Sequence, residues 1–293
     1  MAAMPLLIKE DSSKTTYTKH DQLFKELINT FIKEFLEVFF PDVHDNIDLQ
    51  AIKPIRDEVY TDMIEGSTRR LDIVVETTLK GKDVAVIVHI EPQSYKQDDF
   101  HERMYHYFSL LYNKYQKPII PIAVFSYEED WEEKQYTMKF PFFNVLTFNY
   151  MTLHLRKKNW RNYIRSDNPA AAALLSKMGY TEKERVQVKK EFLRMITRME
   201  LNPAKERLIY GFFETYLQLT EEEEEELMKE VENLPKEEAE WIKELPISYE
   251  EKGKAKAKKE VAMEMLRKGL DMDLIAEVTH LDMKDVEKLK EQL

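Results

Sequence analysis

Residues 69–95 read RRLDIVVETTLKGKDVAVIVHIEPQSY, and they predict a β-hairpin. Two runs rich in Val and Ile are separated by a short turn that contains Gly81, which is the pattern of two paired antiparallel strands. Such a hairpin buries one face. However, Asp72 stands at the start of the first run, and Glu91 and Gln93 interrupt the end of the second. These three polar residues require an explanation beyond folding.

A regular antiparallel register around this turn places Asp72 opposite Glu91. Side chains that face each other across two strands lie about 5 Å apart, and two carboxylates that close repel unless a cation lies between them. Mg²⁺ is the expected ion because it prefers carboxylate oxygens, and Mn²⁺ is a substitute. The alternative is that Asp72, Glu91 and Gln93 lie at strand ends and face solvent. That explains each residue singly but not their convergence.

Several short motifs around the hairpin resemble those of one nuclease family. Asp72 followed by Glu91-Pro92-Gln93 looks like the core of the PD-(D/E)XK nucleases, in which an Asp and a Glu on adjacent strands bind Mg²⁺. A wider set is similar to the recombination-promoting, transposase-like members of that superfamily: HDQLFK (20–25), RRLDIVVET (69–77), IEPQ (90–93), RMYHYFSLLY (103–112) and the tail that begins GKAKAKKE (253–260).

The resemblance implies a role for each matched residue. Asp72 and Glu91 would bind the metal, with the carbonyl of Pro92 as a third ligand, and the metal would lower the pKa of a bound water and stabilise charge on the phosphate. Gln93 stands where the parent pattern has Lys. Its amide can orient water but carries no charge, and the resemblance implies that Gln is usual there in this group. Leu71 replaces the Pro of the parent pattern.

Other residues are weaker candidates for the same chemistry. Glu26 lies in the first predicted helix, where this fold often supplies another acid, although a solvent-facing Glu is an equal alternative. His20 is a candidate for a phosphate contact, with packing or capping as the alternative. Arg103 is a candidate for a phosphate contact, with a surface ion pair as the alternative. His89 shares the face of Glu91, but imidazole is a poor ligand for Mg²⁺.

The net charge of −11 means that DNA binding has to rely on a local basic surface. The best candidate is LRKKNWRNYIR (155–165), which combines five cations with two aromatic residues and no acid, as nucleic-acid backbones require. On a helix beginning near Lys158, Arg161 and Arg165 would share a face and contact DNA. A solvated helix face is the alternative interpretation.

Periodicity predicts a mixed α/β domain in which helices flank a central sheet, and the resemblance implies that its core is restriction-endonuclease-like. The predicted elements are a helix at 20–40, the hairpin, a helix at 97–116 and strands at 118–127 and 136–155. A wholly helical region follows. The predicted division is a flexible N-terminus (1–18), the nuclease-like domain (19–165), a helical region (166–252) and a helical C-terminal tail (253–293).

The remaining features limit the classes of function. The chain has no cysteine, and no segment is long and apolar enough for a membrane span, so we expect a cytoplasmic protein without a membrane partner. The leading hypothesis is a Mg²⁺-dependent DNA endonuclease of the recombination-promoting type. The alternative is a nuclease-fold DNA-binding or regulatory module with little or no turnover. The helical C-terminal region is expected to support homo-oligomers.

Overall fold

The computed structural model describes most of the chain. It covers residues 22–55, 59–61, 68–70, 73–82, 85–93, 98–127, 134–245, 258–279 and 281–291. The chain divides into two compact units, Met1–Met228 and Lys229–Leu293. The domain boundaries expected from the sequence near residues 165 and 252 stay predictions.

The first unit is built on a mixed β-sheet. The strands of the described residues are β1 (Lys53–Pro54), β2 (Val59–Thr61), β3 (Thr68–Arg70), β4 (Ile73–Thr78), β5 (Ala85–Gln93), β6 (Ile119–Phe125), β7 (Gln135–Phe140), β8 (Phe143–Asn149) and β9 (Met151–His154). Five form one sheet in the order β1-β4-β5-β6-β9, while β2 with β3 and β7 with β8 form two smaller sheets. β4 is antiparallel to β1 and β5, whereas β5, β6 and β9 are parallel. The mixed α/β architecture expected from the sequence is confirmed.

Helices precede, cover and follow this sheet. In the first unit they are α1 (22–30), α2 (Ile32–Phe39), α3 (Pro41–Asn46), α4 (Phe100–Tyr115), α5 (Pro169–Leu174), α6 (Arg185–Arg198), α7 (Pro203–Tyr216) and the start of α8 (Glu221–Glu232). The second unit contains α9 (Lys236–Glu244), α10 (258–267), α11 (Met272–Thr279) and α12 (Met283–Glu291). No helix of the described residues is long and apolar enough to cross a membrane.

The β4–β5 hairpin has the register expected from the sequence. The pairs run without interruption from Ile73 opposite Ile90 to Thr78 opposite Ala85. Gly81 occupies the connecting turn with φ of 72°, a conformation in which glycine avoids the strain that a side chain would add. β5 lies between β4 and β6, and its residues from 86 to 93 are all buried. Both faces of this strand are therefore covered.

Helix α4 covers the face of the sheet that carries the polar residues of β5. Its buried stripe is Phe100, Met104, Tyr107 and Leu111, as the spacing predicts. Tyr107 and Leu111 pack in one cluster with Ile87 of β5. This packing fixes α4 over alternate residues of β5, because side chains along a strand alternate between its two faces.

The N-terminal helices and the helices after residue 166 share one core. Phe24 of α1 meets Phe212 of α7 edge to face, with ring centroids 4.9 Å apart. Asn168 accepts a hydrogen bond from the backbone N–H of Ala171, which caps α5, and donates one to the carbonyl of Glu34 in α2. These contacts join parts of the chain on both sides of residue 165 within the first unit.

A run of six glutamates (221–226) begins α8, and Thr220 precedes it. The Thr220 N–H donates to the Glu223 carboxylate, and the Thr220 hydroxyl accepts from the Glu223 N–H. Glu223 pairs with Arg185 at 2.9 Å, and Glu224 pairs at 2.8 Å with Lys189, which is buried in α6.

The second unit has a small core of its own. Ala262 of α10, Ile275 of α11, and Val286 and Leu289 of α12 are buried together. The described residues of the C-terminal tail therefore form three helices that pack on one another. Homo-oligomer formation through this tail stays a prediction.

Candidate functional site

Two of the polar residues expected in the site lie on the central strand. Glu91 and Gln93 belong to β5, and each is only 5% exposed. They alternate with buried apolar residues, so both point to the face of the sheet that α4 covers. A carboxylate is rarely buried this deeply without charged or hydrogen-bonding neighbours. The alternative interpretation, that these side chains face solvent at a strand end, is therefore wrong for Glu91 and Gln93.

Arg103 of α4 supplies those neighbours. Its Nη2 donates a hydrogen bond of 2.6 Å to Gln93 Oε1 and lies 3.8 Å from Glu91 Oε1. The guanidinium also lies over the ring of Phe100, 5.2 Å from its centroid. The Arg103 side chain is 14% exposed. A buried amide, a buried carboxylate and a guanidinium thus form one cluster between β5 and α4.

His89 borders the cluster on the same face of β5. Its Nε2 lies 3.4 Å from Glu91 Oε2, and its ring meets Tyr107 edge to face at 5.8 Å. The side chain is fully buried. This placement agrees with the expectation of a packed neighbour of Glu91.

Two of the candidate site residues fall outside the described residues. These are Asp72 and His20. The described strand pair nearest to Asp72 is Ile73 opposite Ile90. The expected pairing of Asp72 with Glu91 stays a prediction that rests on this register.

A metal site cannot be assembled from the described residues alone. Among them, no group of three or more His, Asp or Glu side chains is arranged to hold a metal ion. Glu91 is the buried carboxylate available on β5. The metal site expected from the sequence therefore depends on Asp72.

Glu26 lies in α1 on the side opposite to its buried face. Phe24, Leu27 and Ile28 are buried, whereas Glu26 is exposed. This exposure is what its solvent-facing alternative predicts. A catalytic role for Glu26 stays a prediction.

The basic segment is not the helix that the spacing of Arg161 and Arg165 suggested. It forms two short 3₁₀ turns, Leu155–Lys157 and Trp160–Asn162, with the Asn159 side chain accepting from the Arg161 N–H. The prediction that Arg161 and Arg165 share one face of a helix is therefore wrong. The reason is tertiary: Asn159 bridges to Gly179, whose N–H donates to the Lys158 carbonyl.

Arg161 and Arg165 have different surroundings. Arg161 lies over the ring of Trp160 at 4.3 Å and pairs with Glu184 at 2.5 Å. The Thr181 N–H and hydroxyl, and then Arg161, lower the pKa of Glu184 to about 2. Arg165 is exposed. DNA contacts by either residue stay predictions, and at Arg161 they would compete with the Glu184 carboxylate.

The strand register places the start of the basic segment at the end of the sheet where the buried cluster lies. Gln93 pairs with Phe125, and Phe125 pairs with His154, across three parallel strands. Neighbouring strands lie about 4.8 Å apart, so Gln93 and His154 are on the order of 10 Å apart. Residues 155–158 continue directly from His154. The cluster and the basic turn therefore lie at the same end of the sheet.

The contact of Arg103 with Glu91 and Gln93 could have been inferred from the position of Arg103 on the predicted helix. Arg103 follows Phe100 by three positions and precedes Tyr107 by four, so it lies on the buried side of α4. A cation on a buried helix face needs an anionic or polar partner. Glu91 and Gln93 are the partners that the fold supplies.

Comparison with known proteins identifies no relative of this chain. No protein-family model, no curated protein and no solved structure matches the chain.

Proposed function

We propose that this protein is a Mg²⁺-dependent DNA endonuclease of the PD-(D/E)XK type, related to the recombination-promoting, transposase-like group. The observation that carries the proposal is the cluster of Glu91, Gln93 and Arg103 at the C-terminal end of the central strand of a mixed sheet flanked by helices. A buried carboxylate beside a buried amide is costly for folding. Folding alone gives no reason to place both on the central strand.

Arg103 addresses the main departure from the parent pattern. Gln93 lacks the positive charge that Lys has at this position, but the Arg103 guanidinium donates to Gln93 at 2.6 Å. Guanidinium groups bind phosphate oxygens well because their N–H donors match the phosphate geometry. Arg103 would therefore balance the negative charge of the phosphate, and Gln93 would orient the attacking water.

The residues on β5 suit a hard divalent ion. The donor that they offer is a carboxylate oxygen of Glu91, which Mg²⁺ and Mn²⁺ prefer over nitrogen or sulfur. Asp72 would be the second carboxylate ligand and the Pro92 carbonyl the third. When bound, the metal would supply an activated water and offset charge on the phosphate.

One observation favours the alternative of a non-cutting DNA-binding module. Glu91 and Gln93 are almost fully buried, and Arg103 already contacts both. Cleavage then requires that substrate or metal displace some of these contacts. A chain that kept the cluster only for structure would have the same contacts.

Cleavage by a matched pair of variants tests the proposal. Glu91→Gln removes the ligand charge with almost no change in shape, and it should abolish Mg²⁺-dependent cutting of plasmid and single-stranded DNA. Glu76→Gln is the control, because Glu76 lies on the adjacent strand β4 and pairs with Lys117 at 2.7 Å. This control should cut like the wild type.

Two outcomes would contradict the proposal. A wild-type protein that cuts no DNA with either Mg²⁺ or Mn²⁺ would refute the endonuclease function. Equal cutting by Glu91→Gln and Glu76→Gln would remove Glu91 from the catalytic centre. Circular dichroism of both variants would first establish that each is folded.

A further inference from the structure

The β7–β8 hairpin presents an aromatic tip to solvent. Phe140, Phe142 and Phe143 are 56%, 87% and 61% exposed, and the rings of Phe140 and Phe142 stack with centroids 5.7 Å apart. Pro141, between the two strands, is also exposed. Exposed apolar clusters of this kind usually mark an interaction surface, because the residues contribute nothing to the core.

The root of the hairpin is firmly packed, so the tip projects from an ordered base. Tyr136 of β7 stacks on Tyr105 of α4 at 5.4 Å, and Phe148 of β8 packs on Phe108 at 4.9 Å. Tyr136 and Phe148 are paired across the two strands. The register shifts once, between Met138 and Lys139, and such a bulge bends a hairpin and increases its twist.

The stretch of chain that contains the aromatic tip and the basic segment after it is rich in positive charge. The 32 residues from 134 to 165 contain seven Lys or Arg and no Asp or Glu, in a protein with a net charge of −11. Lys139 is exposed beside the tip, and Lys157 and Arg165 are exposed in the basic segment. Aromatic side chains combined with cations are the composition of surfaces that bind single-stranded nucleic acid.

The hairpin is rooted next to the candidate site. Tyr136 contacts His101 and Tyr105, which lie two residues before and two residues after Arg103 on α4. Phe140 follows Tyr136 by four residues, which corresponds to about 13 Å along a strand. That length spans roughly four base steps of 3.4 Å.

We propose that the aromatic tip, Phe140, Phe142 and Phe143, stacks against unpaired bases of DNA while Lys139 beside the tip contacts a phosphate. The inference rests on the proposed nuclease function and gives its substrate class: DNA with a single-stranded segment beside the cut. Phenyl rings stack on any base, so the tip adds affinity without selecting a sequence. Each stacked base contributes ~1–3 kcal/mol, which is about 5- to 150-fold in affinity.

Fluorescence anisotropy with a labelled 20-nucleotide single strand tests the proposal. The assay is run in EDTA, so binding is measured without cleavage. Replacing all three phenylalanines with Ser should weaken binding at least ~10-fold. The salt dependence should stay unchanged, because phosphate contacts set that slope. Trp241→Ser is the matched control, since Trp241 is an exposed aromatic on α9, and its affinity should equal that of the wild type.

A conservative pair separates stacking from simple apolar contact. Phe142→Tyr keeps the ring and should keep the affinity, whereas Phe142→Leu keeps apolar area and should lose affinity. Unchanged binding by the triple variant overturns the proposal, and so does a wild type that binds no single strand. Vesicles of anionic phospholipid and analytical ultracentrifugation complete the test. If the triple variant loses only vesicle binding, or only self-association, the tip serves a membrane or a second copy instead.

The outcome is separable from that of the cleavage test. A wild type that binds single strands through its tip but never cuts would refute the nuclease function and leave the stacking result standing. Cleavage that depends on Glu91, with binding indifferent to the tip, would refute only the stacking.

Discussion

Replacing Arg103 with Leu should destabilise the protein by leaving the Glu91 carboxylate buried without its cation. The guanidinium lies 3.8 Å from Glu91 Oε1 and donates to Gln93 at 2.6 Å. Leu retains apolar packing beside Phe100, so the loss of the charge is the main change. The side chain is 14% exposed, and solvent therefore screens the charge only in part.

The size of the effect follows from this geometry. At 3.8 Å and an effective dielectric constant of about 20, two unit charges attract by about 4 kcal/mol. The hydrogen bond to Gln93 adds ~1 kcal/mol. Part of this loss is offset, because the substitution also removes the free-energy cost of burying the guanidinium away from water. We therefore expect the free energy of unfolding to fall by about 3 kcal/mol.

A double-mutant cycle with urea denaturation measures the pair itself. The variants are Arg103→Leu, Glu91→Gln and the double substitution, all measured at the same pH and ionic strength. Removing the carboxylate in the Arg103→Leu background should recover about 2 kcal/mol of the loss.

Arg165→Leu is the control for the general effect of losing an arginine. Arg165 is exposed, so its replacement should change the free energy of unfolding by less than ~0.5 kcal/mol. Effects of Arg103→Leu and Glu91→Gln that add within ~0.5 kcal/mol would show that the two charges do not interact. The cluster would then no longer support a balanced charge site.

Two further predictions concern Gly179 and Glu184, which contact the basic segment (155–165). A Cβ on Gly179 would overlap the Arg156 carbonyl oxygen, so Gly179→Ala should lower the free energy of unfolding by ~1–3 kcal/mol. Gly211→Ala is the control, because a Cβ at this position of helix α7 has nothing within 4 Å. It should raise the free energy of unfolding by ~0.5–1 kcal/mol. Changes of the same sign for both variants in urea titrations would contradict the overlap at Gly179. The pKa of Glu184 is lowered from 4.5 to about 2, so its carboxylate stabilises the fold above pH 4.5 and loses this effect as the pH falls towards 2. The stability difference between wild type and Glu184→Gln should shrink over that interval, and a difference that is constant with pH would contradict the assignment.

Local pattern was sufficient for the hairpin and for helix α4. The alternation of Val and Ile around Gly81 determines which residues pair, because a slip by one residue would expose the buried face. The stripe from Phe100 to Leu111 likewise determines which side of α4 is buried. In both cases neighbours within a few residues carry the information.

Tertiary contacts overrode local spacing in the basic segment. Arg161 and Arg165 have helical spacing, but the chain there forms 3₁₀ turns that approach Gly179. Glycine at 179 looks like a helix cap in the sequence. In the structure α5 ends at Leu174, and Gly179 instead allows the backbone near Arg156 to come close. No pattern within residues 155–165 contains this contact.

Gln93 and Arg103 illustrate the same limit at the candidate site. A comparison of motifs judges position 93 alone, where Gln in place of Lys means a lost charge. In the structure, the guanidinium of Arg103 lies 2.6 Å from Gln93 Oε1. A lysine at position 93 would bring a second cation to that point, and two cations so close repel. Glutamine accepts the hydrogen bond that lysine cannot accept. The positive charge of the site is therefore present but comes from the helix, and the residue at 93 is the one that this arrangement requires.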